Sequence, residues 1–258
     1  MSKLGCLRDR MDERDYLMRA YLPMVKLPAK VDHTGKMSPV RDQGDEGTCV
    51  GFASTVGMKE YQEKQDYGKL VELSPRFLYN ECKKIDGFDG EGTTIRAAMK
   101  VLKEWGVCRE KYWPYKPHQQ DKPKPGAKDN ARKFCVFTYA RILNLQELKM
   151  SLMQKGPVVI GVEVFNGMMD AKNGVVPLPN RRESSLGGHA ICPVGYDDRK
   201  KLVKFKNSWS ESWGDDGYGY LPYTYIEKYM MDAWSSVDVQ DPNPLTLAMV
   251  IGIVASKC

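Results

Sequence analysis

Residues 48–64 read TCVGFASTVGMKEYQEK, a stretch without proline in which Phe52, Val56 and Tyr61 fall near one helical face. That spacing predicts a helix beginning at Cys49. A cysteine then sits at a helix amino end, where unsatisfied backbone N–H groups place partial positive charge and favour a thiolate. Downstream, Ser74-Pro75 supplies an N-cap followed by proline at the first helical position, opening a short helix through Phe77, Leu78 and Cys82. Residues 93–105 carry Ile95, Ala98, Met99 and Leu102 on one stripe, an amphipathic helix packed on a core. A proline-rich stretch, 114–125, separates this helical half from a second half of short β-rich runs at 158–164, 190–196, 202–206 and 218–221. One helix interrupts them, 147–154, starting near Asn144 and stopping at Gly156. An α half followed by a β half predicts an α+β fold.

Composition narrows the function classes. The chain has 258 residues, 42% of them apolar and 10% aromatic, enough to fill a sizeable core. Its 39 basic and 33 acidic residues leave only +6, scattered along the sequence. The densest basic stretches, 122–128 and 199–206, lack the interleaved aromatics on which bases stack, so no nucleic-acid partner is expected. Seven cysteines without CxxC spacing suggest neither a metal site nor a disulfide framework, so no metal or cofactor is expected and reduced thiols are the default. The first residues lack the apolar core of about 7–15 residues that a signal peptide needs. Cytoplasmic placement is the expectation, and a start codon upstream of Met1 would leave secretion open. The apolar run 245–255 falls short of the ~30 Å of bilayer hydrocarbon, so no membrane span is expected and a docked strand or partner-binding segment is.

A thiol-based hydrolase needs an imidazole to take and return a proton, and the chain offers three histidines. His33 lies in the turn-like VDHTGK and His118 among lysines and prolines, and neither looks fixed. His189, in Gly187-Gly188-His189-Ala190, opens a strand directly after two small residues that admit a substrate or another backbone. A strand-start histidine bonded to a local carbonyl is the plain alternative. Among the cysteines only Cys49 sits at a helix amino end; Cys82, Cys135 and Cys192 fall in packed elements, where a buried thiol is ordinary.

At this point a resemblance appears. Ser38-Pro39-Val40-Arg41-Asp42-Gln43-Gly44 followed by Gly47-Thr48-Cys49 resembles the active-site stretch of the papain family of cysteine peptidases. Gly188-His189-Ala190 with Val194-Gly195-Tyr196, Lys206-Asn207-Ser208-Trp209 and Trp213-Gly214-Asp215-Asp216-Gly217-Tyr218-Gly219 are similar to that family's histidine and asparagine blocks, in the family's order. The likeness covers about residues 27–225.

The resemblance implies a papain-like two-lobed fold, with a helical first lobe, an antiparallel β-barrel-like second lobe and the active site in the cleft between. It implies Cys49 as nucleophile paired with His189, Asn207 orienting the ring under Trp209, and Gln43 donating to the oxyanion. Gly90, Gly92 and Thr93 are expected along the substrate backbone, and Gly161, Gly188 and Ala190 about the subsites. The expected partners are a peptide or protein substrate and a proteinaceous peptidase inhibitor. The organisation that follows is an N-terminal extension over 1–26, a peptidase domain over 27–240 and an apolar tail over 241–258. Within the domain the helical lobe takes about 43–125, and the β lobe about 126–240 plus the lead-in 27–42. The family's long prosegment has no counterpart, and the extension is expected to cap the cleft or lie along the β lobe.

Departures from the family pattern are visible too. Glu46 stands where the family usually has a cysteine and Val50 where it has an aromatic residue, which removes one family disulfide and leaves Cys82 without a partner. The expected activity is peptide hydrolysis through a thioacyl-enzyme, most simply by an endopeptidase. A noncatalytic peptide-binding relative and a thiol acyltransferase or ligase are the alternatives.

Overall fold

A computed structural model describes residues 4–22, 25–119 and 121–238, and the apolar tail lies outside them. The stretch that opens the sequence reading is one helical rod. It starts as α1 (Cys49–Phe52), widens into a π-wound segment over Ala53–Lys59 and returns to α-helix in α2 (Glu60–Tyr67). Gly68 ends it in the left-handed conformation that glycine adopts without strain. Around the rod pack α3 (Pro75–Lys83) and α4 (Ile95–Glu104), each begun by the hydroxyl the sequence offers. Ser74 Oγ accepts from Phe77 N at 3.0 Å and Thr94 Oγ1 from Ala97 N at 3.2 Å. Ile95, Ala98, Met99 and Leu102 are all fully buried, as the stripe requires, each large aliphatic among them stabilising by roughly 1.5–3 kcal/mol. The later helices are α5 (Ala127–Ala131), α6 (Leu145–Gln154, capped by Asn144), α7 (Asn166–Met169) and α8 (Tyr223–Tyr229).

The strands are β1 (Cys6–Leu7), β2 (Lys30–Asp32), β3 (Thr93–Thr94), β4 (Val136–Arg141), β5 (Val159–Val164), β6 (Gly187–Asp197), β7 (Leu202–Lys206), β8 (Tyr218–Pro222) and β9 (Met230–Asp238). Seven form one antiparallel sheet in the order β4-β9-β5-β6-β7-β8, with β2 added on β6. The sheet is open, which corrects the barrel-like expectation: β4 and β8 are its two ends and do not pair. Long β6 is shared instead, its residues 187–191 facing β5 and 195–197 facing β2. Pro193, which has no N–H to give, sits at a register irregularity between these halves, where strands bend.

Two apolar clusters fill the molecule. One lies among α1, α3 and α4 and reaches across to Ala190, Cys192 and Val194 of β6. The other lies under the sheet with α6 and α8. The join is close, since a Cβ on Gly57 would come within 2.5 Å of Cys192 Cβ. The N-terminal residues join both halves. β1 runs parallel to β3, Gly5 O accepts from Thr93 N at 2.9 Å, and Met18 and Leu22 are buried in the second cluster.

Candidate active site

Cys49 is the first residue of α1 and is fully buried, and His189 on β6 is fully buried as well. They meet through the residue after the histidine: Ala190 N donates to Cys49 Sγ at 3.4 Å. His189 Nε2 lies 2.8 Å from Asn207 Oδ1, an oxygen that can only accept, so Nε2 carries the hydrogen and Nδ1 the lone pair. Nδ1 is buried with no hydrogen-bond partner, the arrangement of a base kept for a reacting proton. Trp209 stacks on the imidazole, ring centroids 4.4 Å apart, and shields the His189–Asn207 bond from water.

The loop before Cys49 is held from below. Gln43 N donates to Ser208 O at 2.9 Å, its Oε1 accepts from Ser208 Oγ at 2.6 Å, and its Nε2 donates to Glu46 O at 2.9 Å. The side chain is thereby fixed between the lobes, and its nitrogen carries a second N–H. Glu46 is the residue that departs from the family pattern, and its carboxylate is clamped by buried Arg76. Nη1 meets Oε1 at 2.8 Å, Nη2 meets Oε2, and His118 N adds a bond to Oε2 at 2.7 Å. Tyr115 completes the brace, with its hydroxyl 2.7 Å from both Thr48 Oγ1 and Gln43 O and its ring under the Arg76 guanidinium at 4.8 Å. An ion pair and a phenol thus fix the loop where the resemblance leads one to look for a disulfide. Cys6, Cys49, Cys82, Cys108 and Cys192 are free thiols.

The N-terminal strap fills the cleft. A Cβ on Gly5 would stand 2.1 Å from Gly47 O. On the facing walls a Cβ at Gly92 would come 2.6 Å from Gly5 O, one at Gly188 2.1 Å from Cys6 O and one at Gly161 2.7 Å from Cys6 Sγ. Glycines on both sides are what let the strap's main chain lie this deep. Burial has an electrostatic result. It pushes the Cys49 thiol up to about 11, against the opposing pull of N–H groups from Ala190, Gly5 and Val50. It drives His189 down to about 4, against the pull of Asn207. Both shifts run against the charged forms of thiol and imidazole while the strap covers them.

Of the residues singled out from sequence, Gln43, Cys49, His189, Asn207, Trp209 and Ala190 lie in one connected site. Gly92, Thr93, Gly161 and Gly188 line the strap. Gly90 does not: it is exposed, and the neighbour of its side-chain position is the Phe88 ring at 2.6 Å. His33 is fixed after all, with Nε2 2.7 Å from Leu152 O and Nδ1 3.2 Å from Tyr61 OH, a packing role remote from Cys49. Sequence reading missed Arg76, Tyr115 and Ser208, whose partners lie far away in the chain. The one signal was Glu46 itself, a carboxylate in a place that asks for a counter-charge. Among the described residues no helix is long and apolar enough to cross a membrane.

The chain resembles known proteins over most of its length. The papain family cysteine protease profile matches residues 27–235. An uncharacterized peptidase C1-like protein, L477 of Acanthamoeba polyphaga mimivirus, is 33% identical over 218 residues, covering 78% of this chain and 70% of that protein. Cathepsin K of Mus musculus is 30% identical over 200 residues, covering 76% of this chain but only 60% of its own length, so the chain spans less than two thirds of that relative. The crystal structure of xylellain, a cysteine protease from Xylella fastidiosa, superposes with a TM-score of 0.83 at 31% identity, over 93% of this chain and 97% of that one.

Proposed function

The chain belongs to the papain family of cysteine proteases, and from that premise we propose that it is a cysteine peptidase whose nucleophile is Cys49 and which is held latent by its own residues 4–22. The observation that carries the reading is the buried Cys49 Sγ lying against Ala190 N, next to a histidine whose Nε2 is tied to Asn207 and whose Nδ1 has no partner. Once the strap leaves, water and substrate reach both groups. Relief of burial lets the thiol value fall and the imidazole value rise, so the proton passes from sulfur to His189.

The thiolate then attacks the peptide carbonyl. The oxyanion is met by a Gln43 amide N–H and the Cys49 backbone N–H, and a donor of this kind is worth ~10²–10³ in turnover. His189 protonates the departing amine, leaving a thioacyl-enzyme. It next takes a proton from water, whose oxygen attacks the acyl carbon to release the acid and return the thiol. Asn207 holds the ring through both halves. The strap marks where substrate lies, because its main chain already pairs with Thr93 and passes Gly188. Free thiols at Cys6, Cys49, Cys82, Cys108 and Cys192 support a reducing, cytoplasmic setting.

The test is cleavage of a mixed peptide library by the purified chain. We expect hydrolysis that disappears in Cys49→Ala and in His189→Ala, with circular dichroism unchanged. Cleavage persisting in folded Cys49→Ala would remove the reading.

A further inference from the structure

At a distance from Cys49 the strap is held down by a buried cluster of charges that does not balance. The strap supplies Asp9 and Asp15. The body supplies Arg96 at the start of α4, Arg141 at the end of β4 and Asp232 on β9. Arg141 Nη2 binds Asp232 Oδ1 at 2.5 Å and its Nη1 binds Asp15 Oδ2 at 3.0 Å. Arg96 binds Asp15 through Nε at 3.1 Å, and its backbone N donates to Asp9 Oδ2 at 2.9 Å. Asp9, Arg141 and Asp232 are each less than a tenth exposed, and both guanidiniums stand over the buried Trp234 ring, at 5.5 and 5.1 Å. Three carboxyl groups thus face two guanidiniums, and a guanidinium does not give up its proton.

A buried charge without a counter-charge is costly, so the cluster is neutral only if one carboxyl keeps its proton. The place for that proton is Asp232, next to the Asp9 carboxyl whose charge opposes its own. Asp232 Oδ1 already accepts from Arg141 and from Ala233 N, whereas its buried Oδ2 has no donor. With the strap undocked, both of its acids leave, Asp232 faces only Arg96 and Arg141, and no extra proton is called for. We propose that docking of the strap over Cys49 takes up one proton, held by Asp232 next to Asp9, so that the strap is a latch held at low and neutral pH and loosened as pH rises.

The sign follows from the two states. In the docked state burial, and then Asp9, push the Asp232 carboxyl well above the usual carboxylate range, against the pull of Arg141. A group raised by docking contributes its full share below its undocked value, and that share is lost as pH climbs to the docked value. A thiol and a phenol beside the cluster stay neutral across the window. Burial raises the Cys6 thiol on the strap well above its ordinary value, and burial likewise raises the Tyr139 phenol on β4. Asp15 is paired with both Arg96 and Arg141.

This inference rests on the reading of the strap as a cap over a reactive Cys49, and the experiment separates the two. Iodoacetamide labelling of Cys49 in the full chain is followed by mass spectrometry from about pH 6 to about pH 9, in wild type and in Asp232→Asn, which copies the protonated carboxyl; the ratio of the two rates cancels the ionisation of the thiol. We expect that ratio to rise about tenfold or more across the range, set by the linked proton. A ratio that stays flat overturns the latch while leaving the nucleophile intact. Hydrogen exchange of residues 4–22 in wild type, corrected for intrinsic rate, reads the strap without reference to Cys49 or to any variant. Protection that falls with rising pH supports the latch even if Cys49 proves unreactive, and protection that is constant with pH overturns it. Asp9→Asn, altered on the strap side, should hold protection constant as Asp232→Asn does.

Discussion

At the scale of single residues the site divides its labour between groups that touch substrate and groups that hold them. In the mechanism proposed above Gln43 is of the first kind, and Gln43→Ala should lower kcat by ~10²–10³ with a smaller change in KM, because the oxyanion exists only after attack. Steady-state kinetics on one peptide checks this, and a change confined to KM would assign Gln43 to ground-state binding. Asn207→Ala should leave residual turnover, since the amide orients the ring and transfers no proton. Glu46 is of the second kind. Its removal leaves Arg76, 2% exposed, as a buried cation without its carboxylate, a loss of about 3–5 kcal/mol for pairs so enclosed. A Glu46→Gln chain should therefore melt well below wild type, and an unchanged melting temperature would show that Lys116 O and the Tyr115 ring suffice for the guanidinium.

At the scale of elements the strap is the part whose function depends on shape more than on side chains. Gly5 lies so close to Gly47 that one methyl group would meet its carbonyl oxygen at 2.1 Å, backbone against backbone. Gly5→Ala should lift the strap and speed alkylation of Cys49 severalfold at neutral pH; slower or equal labelling would mean that this contact does not hold the cap down. The strap was only partly legible in the sequence, because its docking uses main chain, a glycine and charges, in a segment whose composition reads as solvated surface. The helices were easier, since Ser74, Thr94 and Asn144 each announce a start in the residue that caps it. β4 and β9 escaped notice for a physical reason. In β4 the buried side takes Val136, Thr138 and Ala140 while Phe137 is exposed, and β9 buries Asp232, Ser235 and Ser236, so neither shows the apolar alternation that marks a half-buried strand.

At the scale of the whole molecule the chemistry depends on two halves of the chain meeting. Their join was legible because the residues that form it stand in compact blocks around Cys49, His189 and Asn207; the burial that opposes the charged forms of thiol and imidazole was not, because a segment far off in sequence adds to it. The most direct test of that meeting is the rate at which iodoacetamide alkylates Cys49 near pH 6 in the Gly5→Ala background, with and without His189→Ala. At this pH an unassisted thiol is nearly all protonated, so a sulfur that passes its proton to His189 should react about two to three powers of ten faster than one that cannot. We predict that His189→Ala slows labelling by that factor; equal rates in the two proteins would contradict the pairing of Cys49 with His189.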